Sequence, residues 1–116
     1  MDLTIEILAS HDVALLRCRG RITCGDEAEL LCNRLHSIFP QFSKCILSLA
    51  EISQMDAQGL GVLMDCLVRA RRMEGVLLLA NVPPRIQGLL RITQLAGVLD
   101  IYASEEDAMQ ACCQAA

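Results

Sequence analysis

Nucleophilic or acid–base catalysis needs a thiol, hydroxyl or amine held beside a base, and the two histidines of this chain, His11 and His36, fall on an expected turn and an expected helix. Neither belongs to an acid–nucleophile pattern, since Ser10 and Asp12 beside His11 are read as residues of the turn. The seven cysteines, at positions 18, 24, 32, 45, 66, 112 and 113, are odd in number and scattered through apolar segments without a CxxC pair. That pattern is neither a disulfide framework nor the ligand spacing of a zinc site. The cysteines are expected to be small core residues, with Cys112 and Cys113 the most exposed thiols. Carboxylates at Asp26, Glu27 and Glu29, and again at Glu105, Glu106 and Asp107, read as charges at helix starts. Gly59-Leu60-Gly61 is too short for a dinucleotide fingerprint and lies inside a helix rather than before one. The expectation is therefore a chain with no catalytic residue, no metal and no cofactor.

The stretch that asks for an explanation is Ile52-Ser53-Gln54-Met55-Asp56-Ala57-Gln58-Gly59-Leu60-Gly61-Val62-Leu63. An apolar strand leads through a polar turn into a helix for which Asp56 is the natural N-cap. Two glycines then fall in the first turns, where each costs about 1 kcal/mol relative to Ala. Either another surface approaches the backbone closely there, or the helix packs tightly on a sheet. The spacing alone leaves both open.

The rest of the chain supplies elements to position this junction. Leu3, Ile5 and Ile7 alternate with polar residues, and a second alternating run covers Val13 to Arg19, so two strands joined near Ser10, His11 and Asp12 are expected. Gly20 to Gly25 reads as a loop. A helix follows with Ala28, Leu31, Leu35 and Ile38 on its inner side, ended by Pro40. Cys45 to Leu49 and Val76 to Ala80 are nearly unbroken apolar runs, as expected of central strands covered by helices. Between them Leu60, Leu63, Met64, Leu67 and Val68 recur at helical spacing from Ala57 to Met73, with Arg69, Arg71 and Arg72 in the last turns. Pro83 and Pro84 open a helix with an inner stripe of Ile86, Leu89, Leu90 and Thr93, stopped at Gly97. A short strand, Val98 to Ile101, precedes a final helix that starts on a Ser104 and Asp107 capping pair and bears Ala108, Ala111 and Cys112. The order ββαβαβαβα implies an α/β fold, a mixed and mostly parallel sheet packed with helices, in a single domain over residues 1–116.

Composition narrows the partners. Hydrophobic residues make up 53% of the 116 and aromatics 3%, so the core is aliphatic and a stacking pocket is not expected. A net charge of -4, with Arg71-Arg72 the longest basic run, argues against nucleic acid. No apolar run approaches the roughly 18 residues of a membrane span, and Met1 to Thr4 lacks a signal-peptide pattern. The chain is expected to be cytoplasmic, without membrane insertion.

Asp56-Ala57-Gln58-Gly59-Leu60-Gly61, preceded by Ile46-Leu47-Ser48-Leu49, resembles the Asp-Ser-Ser-Gly-Leu-Gly signature of STAS domains, named for sulfate transporters and anti-sigma factor antagonists. The similarity extends to Gly20-Arg21-Ile22, to the strand after Gly75 and to Leu95-Ala96-Gly97-Val98, in the family's element order. The resemblance implies a non-enzymatic regulatory module. Free-standing members of this length bind an anti-sigma factor that is also a serine kinase, release the sigma factor, and are disabled by phosphorylation of the first Ser of the motif. That position is Ala57 here, the next Ser is replaced by Gln58, and the acidic residue usual in the preceding strand is Ser48. The resemblance assigns partner binding to Gly20, Arg21, Ile22 and Thr23 together with Asp56, Ala57, Gln58, Gly59 and Leu60. Ser53 and Thr23 are candidate alternative acceptors of a phosphate, although solvated loop hydroxyls are the commoner explanation of such residues. Two other roles known in the family are an accessory subunit of a lipid or anion transporter ATPase and a small-ligand sensor. Self-association through the edge of the N-terminal strand also stays open.

Overall fold

The computed structural model describes residues 3–10, 12–23, 26–38, 41–92 and 100–114. Strands β1 (Leu3–Ser10) and β2 (Val13–Ile22) form an antiparallel hairpin in which Ser10 faces Val13 and Leu3 faces Gly20. From β2 onward every pairing is parallel: β2 with β3 (Lys44–Met55), β3 with β4 (Val76–Ala80), and β4 with β5 (Asp100–Tyr102). The strand order across the sheet is β1-β2-β3-β4-β5, so the chain steps steadily in one direction and leaves β1 as an edge.

That steady advance dictates where the helices go. Right-handed crossovers between strands taken in order deliver every connecting helix to the same face. Helices α1 (Asp26–Ile38), α2 (Ala57–Arg72) and α3 (Pro84–Ile92) accordingly share one core cluster, in which Leu31, Leu35, Leu63, Cys66, Ile86 and Leu90 meet Leu16, Cys45, Leu47 and Leu79 of the sheet. Helix α4 (Glu105–Gln114) follows the last strand and covers the opposite face with Ala108 and Cys112 against Val13, Ile46, Leu78 and Ala80. Coverage on both faces is why Cys45–Leu49 and Leu77–Ala80 are apolar at every position but Ser48.

The element order matches the sequence expectation, and several boundaries move. Gly20, Arg21 and Ile22 belong to β2 rather than to a loop, and β3 runs on to Met55. Beyond Ser48, β3 has lost β4 as a neighbour and pairs only with β2, so its outer half is polar and reads as a turn. A register shift between Gly20 and Arg21 marks a bulge, and Gly20 takes φ 113°, a conformation that L side chains rarely adopt. Cys112 is buried at 2% exposure, because it faces the apolar run of β3 and β4, and is not an exposed thiol. Val68 is 45% exposed, since the inner stripe of α2 passes through Cys66 and Ala70 instead. The short strand is seen from Asp100 and extends to Tyr102, one residue past its expected end. His11, Cys24, Gly25, Pro40, Thr93 and the Leu95-Ala96-Gly97-Val98 segment lie outside the described residues, as does the side chain of Cys113.

Candidate functional site

Because β2 and β3 run parallel with Ile22 opposite Met55, their carboxyl ends finish side by side, and α2 starts one residue later. Asp56 sits in extended backbone at φ -106° and ψ 179°, and its carboxylate accepts a hydrogen bond from the Gly59 amide at 2.7 Å. Its carbonyl accepts the first helical bond from the Leu60 amide at 3.0 Å. One acidic residue therefore satisfies an otherwise unpaired amide and places negative charge at the positive end of the helix dipole.

Gly59 packs against the backbone of β2 so closely that a Cβ there would strike the Ile22 carbonyl, whose carbon lies only 3.0 Å from the Cβ position. Leu60, 2% exposed, anchors the same turn in the core. A Cβ on Gly61 would meet nothing within 4 Å. The two explanations left open by the sequence thus divide between the two glycines: packing accounts for Gly59 and not for Gly61.

The nine residues assigned to partner binding do converge on this edge, but in two layers. Arg21, Ala57 and Gln58 are exposed, and Gly20, Thr23 and Asp56 are half-buried. Ile22, Gly59 and Leu60 are buried, so they shape the surface from beneath and present no side chain to a partner. Thr23 is half-buried just past β2 and Ser53 is exposed on β3 rather than in a loop, and each hydroxyl is already engaged within the fold. Thr23 Oγ1 donates to the carboxylate of Glu27, itself 7% exposed, which ties the end of β2 to the first turn of α1. Ser53 Oγ donates to the Gly20 carbonyl at 3.0 Å and so holds the bulge.

On the α4 face, a second concavity of 510 Å³ is lined by Thr4, Glu6, Arg17, Arg19, Ser48, Glu51 and Glu105, among others. Its charges are paired internally. Arg17 donates to both carboxylate oxygens of Glu105 at 3.0 and 3.1 Å, and Arg19 to Glu51 at 2.9 Å. The Arg17 hydrogen bond holds the Glu105 carboxyl below its usual range; partial burial works against it, and the Ser48 hydroxyl works with it. Burial pushes the Cys18 and Cys45 thiols up to about 12, as befits core residues.

His36, which sequence spacing left without a nucleophile, has its Nε2 3.5 Å from Cys32 Sγ. The i, i+4 spacing on one helix was the available signal for that contact. Its neighbour Cys66 comes from α2 and required the packing of α1 on α2.

The model of the STAS domain matches residues 4–108. Over 110 residues the chain is 26% identical to the anti-sigma-B factor antagonist of Bacillus subtilis (strain 168), covering 95% of this chain and 100% of that protein. The structure of the Bacillus cell fate determinant SpoIIAA in its phosphorylated form superposes with a TM-score of 0.72 at 16% identity, over 94% of this chain and 99% of that one. An anti-sigma factor antagonist from Mycobacterium paratuberculosis superposes with a TM-score of 0.80 at 17% identity, over 94% of this chain and 92% of that one. The five-stranded mixed sheet and its four helices are thus the framework shared with these proteins, and the chain belongs to the STAS domain family.

Proposed function

We propose that this protein is a regulatory binding module of the anti-sigma-factor-antagonist type, whose α2 start and neighbouring β2 end dock on an anti-sigma factor of the kinase kind and so release a sigma factor. The observation that carries the reading is the two-layered start of α2. Asp56, Gly59 and Leu60 fix its position on the sheet, while Ala57, Gln58 and Gly61 are exposed, and a Cβ on Gly61 would meet nothing within 4 Å among the described residues. A surface that is rigid beneath and low in relief above suits docking, because little entropy is lost when a partner covers it. The relatives' names supply the class of partner.

The family's phosphorylation switch takes a different form here. A phosphate adds about -1.5 to -2 charges at a helix start and changes the surface a partner meets. Ala57 has no hydroxyl, so the docking face stays unphosphorylated at this position and control passes to protein abundance, to competing partners or to another site.

The test is capture of a purified kinase-type anti-sigma factor encoded beside this chain's gene, using wild-type, Ala57→Asp and Ala57→Glu protein as bait. Capture by wild type and loss from both acidic baits is the expected result. Equal capture by all three, with folding intact, places the interface elsewhere and overturns the reading.

A further inference from the structure

Helix α1 carries Cys32 and His36 one turn apart, and Cys66 reaches them from α2 across the packed interface. Their ligand atoms, two sulfurs and one imidazole nitrogen, all lie within 4.8 Å of one another. Tetrahedral zinc holds thiolate sulfur at about 2.3 Å and imidazole nitrogen at about 2.0–2.1 Å, which sets adjacent sulfur and nitrogen ligands roughly 3.5–3.6 Å apart. Cys32 Sγ and His36 Nε2 stand 3.5 Å apart, already at that separation. We infer that Cys32, His36 and Cys66 form a three-ligand site for a thiophilic tetrahedral cation, Zn²⁺, with the fourth position open to the surface.

The surroundings supply what such a site needs. Cys66 is fully buried and anchors it from within, while Cys32 and His36 are half-buried and face outward. A shallow hollow of 300 Å³ lined by His36, Arg69, Arg72 and Met73 adjoins the imidazole, giving an entry path and room for a fourth ligand. Arg69 is the group that opposes a cation. Its Nη1 lies 3.1 Å from His36 Nε2 and 3.3 Å from Nδ1, so this exposed side chain swings off the ring when metal binds. Charge does not forbid that arrangement: two thiolates cancel the dication, and the arginines at the mouth then favour an anionic fourth ligand, a carboxylate, a thiolate or hydroxide.

The trio is less suited to nucleophilic catalysis. Burial, and Cys32 beside it, push the Cys66 thiol up, the reverse of an activated thiolate. Binding is written as two thiols and a neutral imidazole taking up Zn²⁺ and releasing two protons to solvent. The product staples α1 to α2 about 13 Å along the helix from Ala57, at 1.5 Å per residue, and so leaves the docking edge uncovered.

Co²⁺ titration of the full chain, kept reduced with a phosphine, is the test. Wild type is expected to bind one equivalent with a thiolate-to-cobalt charge-transfer band and tetrahedral d–d bands, both bleached by Zn²⁺. Cys32→Ser and His36→Asn, both at half-buried positions, should stay folded by circular dichroism, lose those bands and weaken Zn²⁺ binding by at least about 100-fold, beyond the 10–100-fold typical of residues that only support ligands. Zn²⁺ should raise the melting temperature of wild type by several degrees and that of Cys32→Ser by none. Cys24→Ser and Cys113→Ser should keep the bands. Absence of a charge-transfer band in wild type, its survival in Cys32→Ser, or its loss in Cys24→Ser or Cys113→Ser overturns the inference.

Discussion

The inward and outward sides of the first two turns of α2 obey different rules although they are made of interleaved residues. Inward, Asp56 accepts the Gly59 amide, Gly59 lies against the Ile22 carbonyl, and Leu60 is sealed in the core. Outward, Ala57, Gln58 and Gly61 are exposed, and Gly61 has open space where its side chain would be. A glycine on the first side is explained by geometry. A glycine on the second is a cost that packing among the described residues does not return.

The strongest test of this contrast is Gly59→Ala. Overpacking costs about 1–3 kcal/mol, occasionally more, and here the obstacle is a main-chain carbonyl that cannot rotate away. A loss at the top of that range is expected despite the ~1 kcal/mol that alanine gains in a helix. Urea unfolding should show a lower midpoint at unchanged slope; a neutral result would mean that α2 is not pinned to β2. Next in size, Asp56→Ala removes the cap and should cost about 1 kcal/mol by the same measurement. The variant should also bind a partner less well, because the helix start it leaves behind frays.

Much of the inward side was legible from the sequence. Asp56 ahead of an apolar helical period predicts the cap, and Leu60, Leu63 and Leu67 predict the buried stripe; all are found there. Which of the two readings holds for Gly59 was not legible, because the carbonyl it meets comes from Ile22, far away in the chain and brought near only by parallel pairing. The same limit explains why Gly20 to Ile22 read as a loop. Glycine and arginine look like turn residues until a neighbouring strand is present to bond them. Cys32 and Cys66 read as separate core thiols for a related reason: zinc spacing rules describe ligands close in sequence, and α1 and α2 meet only in three dimensions.

Gly61→Ala turns the comparison the other way. With no described atom outside its own stretch of helix within 4 Å of the added methyl, the helix propensity gain of about 1 kcal/mol should appear undiminished as added stability. If a partner's backbone approaches Gly61, the same variant binds it less tightly. Higher stability together with unchanged affinity would show that this glycine serves neither packing nor docking.

The smallest effect on stability and the sharpest on function belong to Ala57→Glu. Ala57 is exposed at the first position of α2, where Glu is nearly as good a helix former and its charge suits the helix dipole. The change in unfolding free energy should therefore be within about 0.5 kcal/mol, as is usual for surface substitutions. A carboxylate is smaller and less charged than a phosphate, yet it puts a desolvation cost into the middle of the proposed interface. A buried unpaired charge of that kind weakens association by at least about 2 kcal/mol, some 30-fold in Kd. The two readouts must separate: thermal or urea midpoint unmoved, partner affinity reduced. If affinity and stability fall together, the outward side carries structural weight after all and the division between the two sides of α2 is wrong. If neither moves, the outward side is not the docking face, and the unexplained glycine at 61 needs another partner.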